Sequence, residues 1–568
     1  MRVLALSFVA LAACGSSHRT SDAGDGSGSN GPHNLVSLSV NPTNPIIEVD
    51  LNTPGMLPLA AVANFSDGTT EDVSAQTTWD VENPAVGSLV NSVLHTPAFP
   101  TSTAVVSRIN ASYMSLHGVA QVTVVAYRRS GSQQDFFFVL PYQDPGGNQT
   151  KPLDFTTAIP GLDVFFNMDT TGSMGGEINA LETAINTVIT PGIHTLVSDS
   201  QFGVGSMQDF PLDNHGSPNC GTPPSDQPFQ LLQPITDNLA DVAAGVNALS
   251  NSFGNPIGCG NDLPESGIES IYQVATGDGL TGPAPTFVPA NHTGRGGVGF
   301  RTGTLPVVVS ITDAVSHGVG EVATCGGESV TLEPEFTPFA HSRAQTKGAL
   351  NAICGRSVGI APTGGFGCDG VEFLEYLSTS TGARVPPNAW DLGGRPPGCA
   401  AGQCCTNFNG SGRAPDADGL CPLVFLVQTS GAGVTDSIVT GIQMLTRFAT
   451  FTVPTEYEGV TTDVNGNPLP APHTTADFLR SIVPETYLLP PPPPLVPAPS
   501  FDGQEFFNVT PGTIVTFSVA AYNDFIVQTE DAQIFRATIR VTAGSSCTIT
   551  LDQRDVLILV PPIPVVVQ

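Results

Sequence analysis

From about residue 160 to 455, short apolar runs alternate with segments whose apolar residues recur at helical spacing. No other feature of the chain constrains its fold as much. Val164-Phe165-Phe166 reads as a buried strand, after which Ile178, Leu181, Ile185 and Val188 follow a helical period. Residues 202–207 read as a second strand, 239–249 as a helix, and 307–311 as the most apolar strand of the chain. Helix–strand pairs follow at 344–353 with 357–360 and at 435–445 with 448–453. The pattern predicts a central α/β, doubly wound, mostly parallel sheet flanked by all-β sandwich domains. Gly/Pro/Cys-rich stretches near 212–230 and 385–421 read as loops within it.

On the N-terminal side, residues 35–127 read as a small all-β unit. Pro42 and Pro45 break its first strand, and Ser66-Asp67-Gly68 is a hairpin-type turn. The succession Leu38-Ser39-Val40 with Pro42, then Phe65-Ser66-Asp67-Gly68-Thr69, then Trp79 and Asn83-Pro84-Ala85-Val86 resembles the bacterial Ig-like group 2 domain. The resemblance implies a stalk or spacer with Phe65 and Trp79 in its core. Beyond the stiff proline run 490–494, residues 501–568 read as a second sandwich, with Pro511-Gly512 turning into an apolar strand. The expected division is a signal peptide 1–13, a linker 14–34, the Ig-like unit 35–127 and the α/β domain 159–458. A Pro-rich linker 459–500 and the sandwich 501–568 complete it. Residues 128–158 are either a linker or a strand, at Phe136-Phe137-Phe138, pairing with that sandwich.

Fifty acidic residues against 19 basic give a net charge of -31, which repels phosphate backbones and excludes nucleic acid as an expected partner. The same charge suits divalent cations, and it also suits simple solubility outside a cell. Met1-Arg2 precedes a short apolar run, 3–13, of export-signal type. Its end, Leu11-Ala12-Ala13-Cys14, resembles a bacterial lipobox, which implies lipidation at Cys14; the alternative is an ordinary signal with an incidental cysteine. Residues 15–32 then form a polar tether. No other apolar run is long enough to span a bilayer, so a lipid anchor is the only expected membrane attachment. Gly15-Ser16, with no Asp after Cys14, points to the outer membrane and the cell surface. Ten further cysteines suggest disulfides, and four of them, Cys399, Cys404, Cys405 and Cys421, fall in one Gly/Pro-rich stretch.

The chemistry concentrates at Asp169-Thr170-Thr171-Gly172-Ser173, where one carboxylate and two hydroxyls share a tight loop after the first strand. Hard oxygen donors of this kind suit Mg²⁺, Mn²⁺ or Ca²⁺. The competing reading is a helix N-cap made by Thr171 or Ser173. Thr312-Asp313-Ala314-Val315-Ser316-His317 puts a second carboxylate at a strand end, and Asp262-Leu263-Pro264-Glu265 adds two more on a loop opening a helix. Asp209 follows the strand 202–207.

Together these motifs resemble the integrin β-subunit-like von Willebrand factor type A domain. The resemblance implies a metal held by Asp169, Thr171, Ser173, Glu265 and Asp313, Mg²⁺ or Mn²⁺ by type. It also implies a supporting Ca²⁺ at Asp209, Asp262, the carbonyl of Pro264 and Glu265, with Gly260 where the family has an asparagine and Asn261 as its substitute. Of the acids of a third site, Glu177 alone survives. Further implications are a Cys220–Cys259 disulfide, insertion of the domain into a sandwich joining 130–158 to 500–568, and a structural place for His317.

The function this implies is recognition: a cell-surface lipoprotein binding a protein ligand whose acidic side chain completes the metal's coordination. No catalytic residues are expected, since no His-Glu-x-x-His, Gly-x-Ser-x-Gly or Walker motif is present. The alternatives are a structural envelope scaffold with a fold-stabilising cation, and a metal-dependent hydrolase.

Overall fold

The computed structural model describes residues 33–563 except 130–133, 213–214, 217–225, 283–285, 326–327, 333–338, 364–367, 491–496, 545–546 and 548. The signal segment, Cys14, the tether, Cys220 and residues 491–494 of the proline run lie outside the described residues.

Leu35–Asn41 pairs antiparallel with Ala60–Phe65 in one sheet, while Thr103–Tyr113 and Leu116–Tyr127 form a long hairpin in another. Alternate residues from both sheets, Val40, Ala61, Ile109 and Val122 among them, share one core. Trp79 packs against this core and its indole N–H donates to the Ser74 carbonyl at 3.2 Å. A smaller apolar cluster of Val125, Tyr127, Phe137 and Leu557 joins this unit to the C-terminal β unit.

In that unit, Phe136–Val139 lies parallel to Ile549–Val560 at one edge of a six-stranded sheet. Gln149–Thr156 and Leu479–Leu488 flank Ile514–Ala521 in a three-stranded one. The chain leaves this unit after Thr156 and re-enters it at Phe451–Gly459, which pairs with Gln533–Ala543. Leu479–Leu488 falls inside the 459–500 stretch that reads as linker. Pro484 hides it from a sequence reading, yet it is tolerated because the strand is an edge and its register shifts between Pro484 and Thr486.

Between those two crossings lies one six-stranded sheet. Its strands are β1 (Leu162–Asp169), β2 (Ser200–Met207), β3 (Gln230–Thr236), β4 (Leu305–Ile311), β5 (Arg356–Pro362) and β6 (Val424–Val427), in the order β3-β2-β1-β4-β5-β6. All neighbours run parallel except β3. The helices are α1 (Gly175–Ala184), α2 (Thr190–Leu196), α3 (Leu239–Asn247), α4 (Gly267–Thr276), α5 (Arg343–Ala352), α6 (Val371–Ser380) and α7 (Val434–Phe448). Ile178, Leu181, Val246 and Ile442 cover one face of the sheet with Val164, Phe166 and Val309. Ile268, Ile271, Leu350 and Leu374 cover the other with Phe165 and Val308.

The expected fold class, a multidomain chain led by a doubly wound α/β domain, is corrected for the chain as a whole. Strand accounts for 39% of the described residues and helix for 19%, so the class is mostly β. The described residues form nine sheets, and only one of them is the six-stranded sheet just described. The physical reason lies outside the parallel sheet: most of the described strands belong to the two flanking β units, whose apolar residues pack sheet on sheet, while helical spacing marks seven α-helices of 7 to 15 residues each. Short hairpins in the Gly/Pro-rich connections, Leu280–Thr281 with Thr286–Val288 and Val322–Cys325 with Glu328–Thr331, add a little more.

Disulfides join Cys325 to Cys368, Cys354 to Cys547, Cys399 to Cys405 and Cys404 to Cys421. Cys259 is also disulfide-bonded, and Cys220, expected as its partner, is outside the described residues. Among the described residues no helix is long and apolar enough to cross a membrane.

Candidate functional site

β2, β1 and β4 are parallel neighbours, so their carboxyl ends meet along one edge, with Asp169 opposite Met207 and Met168 opposite Ile311. Asp169 closes β1, Asp209 follows β2 and Thr312-Asp313 follow β4. Open parallel sheets collect polar groups in this crevice.

Asp169 is fully buried. Its Oδ1 accepts from the Thr171 amide at 2.9 Å and the Thr171 hydroxyl at 2.7 Å; its Oδ2 accepts from the Thr312 hydroxyl at 2.7 Å. The Ser173 hydroxyl donates to Asp313 Oδ1 at 3.1 Å. Neither the turn Gly172–Met174 nor α1 has a side-chain cap. The Thr171 and Ser173 hydroxyls therefore face carboxylates rather than helix amides, and the N-cap alternative fails.

Glu265 reaches the same place from the loop that opens α4. Its amide donates to the Val315 carbonyl at 2.9 Å, and the His317 amide donates back to its carbonyl at 2.7 Å, which pins the loop across the end of β4. The side chain is buried, with Oε2 lacking a hydrogen-bond partner. Gly260 sits beside it at φ +67°; a Cβ there would fall 2.8 Å from Glu265 Oε1 and 3.3 Å from Thr171 Cγ2. A side chain at that position would push the Glu265 carboxylate aside, and Asn261 lines the cleft beyond it. Thr171, Ser173, Glu265 and Asp313 all line an open cleft of about 620 Å³, with Asp169 buried beneath.

The acids perturb one another. Burial, then the Asp313 charge, pushes the Asp169 carboxyl up to about 7 against the pull of its Thr donors. Burial also raises Asp313. Glu265 is held well above its ordinary range by burial and by Asp169, Asp209 and Asp262. Glu177, buried in α1 with neither carboxyl oxygen hydrogen-bonded, is pushed up to about 7, again mainly by burial. A pocket that stacks carboxyls without basic partners has the donor set of a hard divalent cation site.

The second expected set is assembled differently. Asp209 and Asp262 do come together, but the groups beside them are His215 and His317. Glu265 turns its Oε1 toward Gly260 and Thr171, and Pro264 is buried. Burial pushes Asp209 up to about 6 although His317 pulls it down. Asp262, despite burial, lies well below its ordinary range because His215 and His317 hydrogen-bond to it. Sequence reasoning missed His215. It lies in the Gly/Pro-rich stretch after β2, and its one signal is its spacing from Asp209.

No family model matches the chain, and no curated protein matches it. Among solved structures it is similar to the pilus adhesin SpaC from Lactobacillus rhamnosus GG in an open conformation, at 12% identity and a TM-score of 0.27. The match covers 78% of this chain and 51% of that one, so the chain spans about half that protein's length. A TM-score this low establishes no shared fold.

These findings correct the family assignment. Placement with the integrin β-subunit-like von Willebrand factor type A domain behind a bacterial Ig-like group 2 domain has no family model or relative behind it, and it is withdrawn. The motifs that carried it are a few short loops of oxygen donors. Such loops report a local chemistry, which unrelated chains reach independently.

Proposed function

We propose that the chain is an exported binding protein that recognises an acidic side chain of a protein partner through a divalent cation. Asp169, Thr171, Ser173, Glu265 and Asp313 would hold the cation, Mg²⁺ or Mn²⁺ by donor type. The observation that carries this is the convergence of two strand-end loops and the loop before α4 on one open cleft, with a buried Glu265 oxygen that no hydrogen bond satisfies. A cation held there would supply positive charge facing the cleft, to which a partner's carboxylate would bind, and the chain's own carboxylates and hydroxyls would fix and neutralise it. The disulfides support an oxidising, extracytoplasmic location. A lipid anchor at Cys14 and display at the outer membrane belong to the same proposal.

Isothermal titration of Mg²⁺, Mn²⁺ and Ca²⁺ into the metal-free chain tests it, repeated with Asp169→Ala. The expected result is one site of this class, lost in the variant; unchanged binding in Asp169→Ala overturns the assignment. Water-proton relaxation of bound Mn²⁺ then reports whether a water exchanges at the open position and is displaced by a short acidic peptide.

A milder change probes the same geometry. Gly260→Ala places a methyl against Glu265 Oε1 and strains a positive-φ backbone. Cation affinity is expected to fall about tenfold or more, the equivalent of ~1.4 kcal/mol, with a cooperative melt retained. Equal affinities in a competitive Mn²⁺ titration would show that Glu265 does not ligate.

A further inference from the structure

Beside the cleft, which Asp262 also lines, Asp209, His215, Asp262 and His317 bring one ligand atom each within 4.8 Å of one another. Asp209 and His317 are buried, and the Asp262 side chain is 30% exposed. His317 Nε2 stands 3.5 Å from Asp209 Oδ1 and 3.8 Å from Asp262 Oδ1, and His215 Nδ1 lies 3.0 Å from Asp262 Oδ2. The two imidazoles meet edge to face at 4.8 Å between centroids.

Asp209 Oδ2 and His317 Nε2, the latter aimed between two carboxylates, are buried without a hydrogen bond. The far nitrogen of His317, Nδ1, lies 3.3 Å from the Leu332 carbonyl, which only accepts. That contact therefore places a proton on Nδ1. The tautomer it favours leaves a lone pair on Nε2, which is how a metal-binding histidine is fixed by its outer neighbour.

We propose that Asp209, His215, Asp262 and His317 form a closed, four-coordinate site for a transition-metal ion of the Zn²⁺ class. Two neutral imidazoles and two carboxylates cancel the charge of a divalent ion. Imidazole nitrogen selects Zn²⁺-type ions over Mg²⁺ and Ca²⁺, which prefer oxygen alone. Tetrahedral donors at about 2.0–2.1 Å from Zn²⁺ stand about 3.3 Å apart; the four ligand atoms here lie within 4.8 Å of one another, so the side chains would draw in around the ion by up to about 1.5 Å. The ion would tie the segment after β2 to the loop carrying Asp262, three residues before Glu265. Its role is structural: it braces the loop that presents Glu265 to the cleft. The site differs in ligands and in cation from an oxygen-only position at Asp209, Asp262, Pro264 and Glu265. It stands whether or not the Asp169 cleft binds a cation.

The test uses the full chain carrying Asp169→Asn, stripped of metal and titrated with Co²⁺, then competed with Zn²⁺. The expected result is the visible d–d absorption of four-coordinate Co²⁺ at one equivalent, displaced by Zn²⁺ and undisturbed by excess Mg²⁺ or Ca²⁺. His215→Ala and His317→Ala should each abolish the band. Zn²⁺ affinity should fall by more than ~100-fold, since even outer-shell partners are worth ~10–100-fold. His317 is buried, so His215→Ala, in the less enclosed loop, keeps the test decisive if His317→Ala does not fold. Absence of the band in the Asp169→Asn chain, or its persistence in His215→Ala, overturns the proposal and leaves His317 as a buried imidazolium paired with two carboxylates.

Discussion

With its cations removed, the protein is expected to lose folding stability as pH rises from about 4 to about 7, and saturating Mg²⁺ or Mn²⁺ is expected to reverse that trend. Asp169 goes up to about 7 and Asp209 to about 6, each chiefly through burial, and Glu265 and Asp313 shift the same way. An acid whose folded pKa lies above its unfolded value binds more protons folded than unfolded across the interval between them. Stability then falls as pH climbs through that interval. For Asp169, fully buried and unscreened by solvent, a shift from near 4 to about 7 corresponds to on the order of 4 kcal/mol. His317 acts in the same direction at higher pH. Burial opposes its charge, but Asp209 and Asp262 hold it up to about 10, so the stability it contributes below pH 6.5 is lost as pH rises toward 10.

A cation at the cleft changes the sign. It holds the same carboxylates ionised, competes with protons for them, and binds tighter as pH rises toward 7. General repulsion in a chain of net charge -31 also grows with pH, so the discriminating quantity is the cation-induced rise in melting temperature. That rise should be small at pH 5, large at pH 8, and absent in Asp169→Asn. A rise equal at both pH values, or one retained in the variant, would sink the linkage.

The legibility of this chain in its sequence is uneven, for physical reasons. Val307-Val308-Val309-Ser310-Ile311 is apolar on both faces because β4 is covered on both sides, and that pattern needs no tertiary knowledge. The oxygen donors of the Asp169 loop are local, so their chemistry is readable from spacing alone. Their family membership is not, because five residues of donor chemistry can arise on any strand end. Leu479–Leu488 was hidden by Pro484, which only an edge position and a register shift make acceptable. His215 was hidden more completely. Apart from its spacing from Asp209 nothing local separates it from any loop histidine, and its meaning appears only when β2 and β4 lie either side of β1 and bring Asp209 to His317.

The unit that frames the α/β insertion rests on a buried ion pair whose loss should be the most costly single change in the β region. Arg554 is 1% exposed and donates to Asp552 Oδ1, and its guanidinium lies 5.4 Å from the centre of the Phe155 ring. The other Asp552 oxygen, Oδ2, accepts from the Thr156 amide at 2.8 Å. That bond ties the six-stranded sheet to the strand Gln149–Thr156, which feeds directly into β1. Asp552→Ala would remove a buried charge's partner and a backbone amide's acceptor together. The cost is expected at ~3–5 kcal/mol, the usual result of breaking a buried pair from one side. Adding Arg554→Met to it should recover much of that loss, because a buried pair replaced by apolar groups of similar volume is often neutral or better. Guanidinium unfolding of the two variants beside the wild type measures both steps. The recovery is the informative part. If the double variant is no more stable than Asp552→Ala, the penalty arises from the lost Thr156 contact and not from the stranded charge. Cation affinity at the cleft should then fall with it, since β1 would lose its anchor on the sheet behind it.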